Sequence, residues 1–142
     1  MKLTKFTDVA LRTLMHAALA GDRRISIDDV ARTFQVPRTH VVKAVHRLGQ
    51  LELLETTRGR GGGLALARPA EQISLGAVVR ETEELTMLEC FDPAVDTCPV
   101  TPACRLKGVL GRATEAFLAV LDETTLADLV RNRRSLAGLL DL

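Results

Sequence analysis

The chain has 142 residues, 46% of them hydrophobic, and its 19 Lys/Arg against 18 Asp/Glu leave a formal net charge of +1. That is one domain, or one domain with an appended helical region, and its core must be aliphatic because there is no Trp or Tyr and only four Phe. No apolar run approaches the roughly eighteen residues that span a bilayer and no secretory signal pattern opens the chain, so a cytoplasmic protein with reduced thiols is expected.

The near-zero net charge hides an asymmetry. Residues 1–68 hold twelve Lys/Arg against six Asp/Glu, a net of +6, and residues 69–142 hold seven against twelve, a net of −5. This points to a basic region at 1–68 that meets a polyanion and an acidic region at 69–142 with another task, within one compact chain.

In chain order, residues 4–20 read as a helix with Thr4 as cap. Phe6, Val9, Ala10, Thr13, Leu14 and Ala17 recur at helical spacing, while Leu11, Met15 and Ala18 fill a second face. A helix apolar on two sides is sandwiched between other elements. Ser26-Ile-Asp-Asp29 has the outline of a capping box, with Asp in place of Glu, and opens a short helix to about Thr33. The turn Phe34-Gln-Val-Pro37 leads to a third helix, Arg38 to Gln50. Its Val41, Val45 and Leu48 form an apolar stripe, and His40, Lys43, Ala44 and Arg47 form a small, basic one. Short helix, tight turn and cationic amphipathic helix make a helix-turn-helix.

Strands are expected over Leu53–Arg58 and Leu64–Ala67, joined by a glycine-rich tip at 58–63. The fold class is therefore mainly α with a small β-hairpin: a winged helix-turn-helix followed by further helices. Ser74 caps a helix to about Glu84, and a long helix follows Cys104 to about Leu121. Its Leu106, Leu110, Ala113, Phe117 and Val120 step by 4, 3, 4 and 3, an a/d seam widened by Val109, Ala116 and Leu121, which asks for a second subunit. A short helix over Thr125–Asn132 precedes a C-terminal tail without an assignment.

Two groups of residues carry chemistry. On the presumed reading helix, Arg38, Thr39 and His40 are placed to meet base edges, and Lys43 and Arg47 to meet phosphate. The wing tip offers Arg58, Arg60 and Gly61 to a minor groove or to phosphate. The second group is Cys90, Cys98 and Cys104, all the cysteines of the chain, separated by seven and then five residues in a segment interrupted by Pro93, Pro99 and Pro102. Three thiols are one short of a closed zinc site and one over a single disulfide. A zinc site completed by one Asp or His stays open as an alternative. A catalytic thiol at Cys98 lacks both a C-x-x-C partner and a convergent acid–base set, so no enzyme is expected.

The opening Leu3-Thr-Lys-Phe-Thr-Asp8 with Ala10-Leu-Arg12, the wing Arg58-Gly-x-x-Gly-Gly63, the run Thr101-Pro-Ala-Cys-Arg-Leu-Lys107 and Thr125-Leu-Ala-Asp-Leu-Val130 resemble the nitric-oxide-sensing branch of the iron–sulfur winged-helix regulators. The resemblance spans residues 2–131. It implies a homodimeric repressor, joined through the long helix, that binds an inverted-repeat operator in double-stranded DNA. It also implies an iron–sulfur cluster in each subunit with Cys90, Cys98 and Cys104 as ligands. The interval between the first two cysteines is longer than is common in that family.

Clusters ordinarily take four thiolates, so one iron needs another ligand. The residues offer Asp8, His16, His40, His46, Glu89, Asp92 and Asp96. The resemblance favours Asp8, contributed by the partner subunit, and a 4Fe-4S centre in preference to 2Fe-2S. A carboxylate is the more readily displaced ligand, so nitric oxide is expected to attack there, free the N-terminal helix and release DNA. An iron- or redox-responsive regulator with a 2Fe-2S centre is the regulatory alternative.

Overall fold

A computed structural model describes residues 2–59 and 61–140. Helix α1 covers Lys5–Ala20, and the Thr4 side chain caps it by accepting from the Thr7 amide at 3.2 Å. Helix α2 is Ile27–Thr33. Its capping box is complete: the Ser26 hydroxyl accepts from the Asp29 amide at 3.0 Å and the Asp29 carboxylate accepts from the Ser26 amide at 2.9 Å. The shorter Asp side chain thus reaches where Glu is usual. The Ser26 backbone and hydroxyl, with Arg32 behind them, hold the Asp29 carboxyl below its ordinary range. Helix α3, Arg38–Gln50, follows a turn made sharp by Gln35 at φ +51° and anchored by buried Val36.

Strands β1 (Leu54–Thr57) and β2 (Gly63–Leu66) form an antiparallel hairpin in the register Leu54↔Leu66 to Thr57↔Gly63. The first is a residue shorter at each end than expected, and the second has the expected length but starts one residue earlier. Ile25 adds a bridge to Leu64, with backbone bonds of 3.0 and 2.7 Å, which ties the wing to the start of α2. Helix-turn-helix plus hairpin is the expected winged helix.

The chain continues through α4 (Leu75–Thr82), two 3-10 turns at Glu89–Phe91 and Thr101–Ala103, and α5 (Arg105–Asp122). The helix expected over 125–132 is shorter than that range. A capping box of Thr125 and Asp128 starts the short α6, Leu126–Leu129, and the tail forms a separate helix α7, Arg133–Leu140, held to the end of α1 by a bond from Arg133 to the Leu19 carbonyl. Among the described residues no helix is long and apolar enough to cross a membrane.

One aliphatic core runs through the molecule. Val9, Leu14, Val41, Leu48, Ile73 and Leu126 are all but inaccessible. Helix α1 packs against α3, β2, α4 and α6, which is why its sequence is apolar on two sides. Ala44 lies in this core and not on the basic outer stripe where the spacing placed it. The outward face is centred on Thr39, Lys43 and His46, so Ala44, one residue on from Lys43, falls on the inward side.

Candidate functional site

The exposed positions of α3 are Arg38, Thr39, His40, Val42, Lys43, His46 and Gln50. Thr39, Val42, Lys43, His46 and Gln50 lie on one stripe at i, i+3, i+4, i+7 and i+11, and this is the face the helix presents outward. Val42, His46 and Gln50 were not among the DNA-contact expectations. An outward Val is legible only once burial shows that Val41 and Val45 satisfy the core. Arg38 is exposed and its Nε donates to Asp28 Oδ1 at 2.8 Å, a surface pair that costs little to open. Arg47 points elsewhere: its guanidinium is bound to Glu81 on α4.

The wing tip places Arg58 and Gly61 in solvent, and Arg60 lies outside the described residues. Gly61 has φ +76°, a left-handed conformation that side chains with a Cβ rarely take. A Cβ on the neighbouring Gly62 would sit 2.2 Å from the Thr57 carbonyl oxygen. The glycines therefore serve the tight return of the hairpin as well as access to a groove.

The three cysteines are all unbridged. Cys90 is buried in the first 3-10 turn, Cys98 is half-buried, and Cys104 occupies the cap position of α5. The acidic residues of the loop shape it. Asp96 Oδ1 accepts from the Cys98 amide and the Thr101 hydroxyl, each at 3.0 Å, Asp92 accepts from the Ala94 amide at 2.9 Å, and Glu89 accepts from Thr97 at 3.3 Å. Apolar Met87, Leu88, Val95 and Val100, in and just before the loop, are exposed. Among the described residues no three His, Cys, Asp or Glu side chains converge as a metal-binding group.

Asp8 lies half-buried on the first turn of α1, its Oδ1 accepting from Arg12 Nε at 2.7 Å and its Oδ2 3.5 Å from Lys5 Nζ. It lines an open groove with Lys2, Lys5 and Arg12. His16 is not a ligand candidate by position: it is 1% exposed, edge-on to Phe34, and its Nδ1 has no hydrogen-bond partner among the described residues. It belongs to the core, as a histidine on an apolar helix usually does, but without the partner such a residue usually has. His40 and His46 stand on the outer face of α3.

Residues 3–132 match the family described as Rrf2, iron-dependent transcriptional regulator. The chain is a member of the Rrf2 family of transcriptional regulators. It is 48% identical over 142 residues to the HTH-type transcriptional regulator NsrR of Geobacillus kaustophilus, covering 99% of this chain and 97% of that one. It is 44% identical over 144 residues to NsrR of Bacillus subtilis, covering 100% and 99%. Within the Rrf2 family it is thus of the NsrR type, a regulator and not an enzyme. The solved structure of T. potens IscR superimposes with a TM-score of 0.76 over 93% of this chain and 88% of that one, at 20% identity, which supports the winged-helix fold.

Proposed function

We propose that this Rrf2 regulator is a cytoplasmic, homodimeric repressor that responds to nitric oxide through a 4Fe-4S cluster. The observation that carries this reading is a set of three unbridged thiols in one loop between α4 and α5, in a chain similar over its whole length to NsrR regulators. The donor chemistry fits an iron–sulfur centre: soft thiolates in a proline-interrupted loop, one ligand short of four. Cys90, Cys98 and Cys104 would hold the group, and Asp8 of the partner subunit would complete it. When bound, the cluster supplies iron that reacts with nitric oxide.

The protein's own residues do the rest. Asp8 is paired with Arg12 and Lys5 in the single chain, and ligation across a dimer would compete with those pairs in an exchange of partners. That exchange couples the first turn of α1 to the partner's cysteine loop. On the other side, Arg38, Thr39, His40, Lys43 and His46 meet the operator in the major groove. Arg58, Gly61 and, on sequence grounds alone, Arg60 meet the minor groove or backbone. Residues 1–68 thus read DNA while 69–142 sense and dimerise, and an inverted repeat suits two such heads at fixed separation.

The test is an anaerobic preparation with visible spectrum, iron and sulfide counts and operator affinity, titrated with nitric oxide. Cluster absorbance that disappears together with operator binding, and that Cys98→Ser abolishes from the start, is the expected result. Operator affinity that stays constant while the spectrum changes would rule out sensing.

A further inference from the structure

The last turn of α4 is a joint. Four consecutive residues, Arg80 to Glu83, tie this turn to three other helices, α5, α3 and α1. Arg80 grips the carboxylate of Asp122 on α5 in bidentate fashion, at 2.5 and 2.6 Å. Glu81 takes Arg47 of α3. The Thr82 carbonyl accepts from the Thr7 hydroxyl of α1 at 2.9 Å. The Glu83 carboxylate accepts from both the amide and the hydroxyl of Thr4, the cap of that same helix, at 2.5 and 2.9 Å. A Cβ on Gly76 would lie 2.0 Å from Asp122 Oδ1, so a glycine one turn earlier leaves room for the α5 carboxylate.

The Arg47 contact is the most specific of the four. Its Nη2 donates to Glu81 Oε2 at 2.7 Å, and its Nε and Nη2 both donate to the Glu81 carbonyl at 3.3 Å. That carbonyl is among the last of α4, which have no acceptor role within the helix. Three bonds along one edge of a planar guanidinium fix an angle as well as a distance. The two side chains are 38% and 52% exposed. A pair so exposed adds little stability, so its consequence is geometric.

Beyond Glu83 the chain passes to the turn Glu89–Phe91, which contains Cys90. We propose that Glu81 is a positioning residue for the reading helix, and that the last turn of α4 is the joint through which the cysteine loop sets how α3 meets DNA. Arg47 serves as the strut and not as a phosphate ligand. This rests on the reading that α3 binds the operator and that the state of the loop governs binding.

The experiment uses the full chain in two preparations, one reconstituted anaerobically with iron and sulfide and one left unreconstituted. The DNA probe is a duplex selected from random sequences by the reconstituted wild type. Operator affinity is measured against salt for wild type, E81Q, R47Q and the charge swap R47E/E81R. Each single variant is expected to reduce the affinity ratio between the two preparations about fivefold. The slope of log affinity against log salt should stay at the wild-type value, and the swap should recover the ratio. An unchanged ratio in E81Q and R47Q overturns the joint. A salt slope lowered by about 0.9 in R47Q overturns it differently, making Arg47 a phosphate ligand. Equal affinity of the two wild-type preparations would remove the sensing reading and the joint with it, a result seen without any variant.

Discussion

His16 is the residue whose surroundings contradict its chemistry most openly. Burial pushes its pKa below the ordinary 6.5, the negative charge of Asp29 opposes this in part, and Arg23 reinforces it. The folded protein therefore holds His16 neutral at a pH where the unfolded chain already takes up a proton. Stability is greatest above 6.5 and is lost as the pH falls from there through the depressed folded value. The urea midpoint of wild type should decline as the pH falls below 6.5, and His16→Leu should flatten that part of the profile. At neutral pH the leucine variant should lie within about 1 kcal/mol of wild type, since it replaces an orphan buried nitrogen with apolar volume of similar size. Identical slopes for the two proteins would show that another group titrates there.

Elements were more legible than surfaces. Thr4, Ser26 and Asp29 announce where α1 and α2 begin because capping chemistry is local, and the structure has those bonds. Replacing Ser26 with Ala should cost about 1 kcal/mol, read as a lower thermal midpoint by calorimetry. The glycine-rich tip was legible as a hairpin, though not which of its glycines is sterically required. Gly62→Ala drives a methyl group into the Thr57 carbonyl. It should weaken operator binding several-fold while moving the thermal midpoint little, because the tip is exposed and contributes few core contacts. What could not be read locally was the direction of faces. Arg47 lies on the same spacing as His40 and Lys43, yet Glu81, distant in sequence, decides where it points. Helix α7 escaped for a related reason: it is only eight residues long, and the bond from Arg133 to the Leu19 carbonyl, distant in sequence, helps to seat it.

The same shift of face decides how the whole molecule is built. The seam expected on α5 was Leu106, Leu110, Ala113, Phe117 and Val120, but Leu110 and Phe117 turn half-buried toward the body, where Phe117 lines a cavity of about 270 Å³ with Leu3, Leu85 and Met87. The open stripe is Leu106, Val109, Ala113, Ala116 and Val120, stepping by 3, 4, 3 and 4. Not one residue of this 18-residue helix is buried in the single chain, and Leu106, Val109 and Val120 stand 57%, 50% and 65% exposed. Small alanines at the centre with larger aliphatics at the ends let two such helices approach closely and cover each other. In a two-fold dimer every substitution counts twice. Leu106→Asp with Val109→Asp should therefore weaken self-association on the order of a thousandfold and give a monomer in sedimentation equilibrium. The α3 and wing surfaces are untouched by these changes, so weak, salt-sensitive binding to arbitrary duplex should survive while operator affinity collapses. A variant that still sediments as a dimer would place the subunit contact elsewhere, and would count against the proposed ligation by Asp8 of the partner subunit.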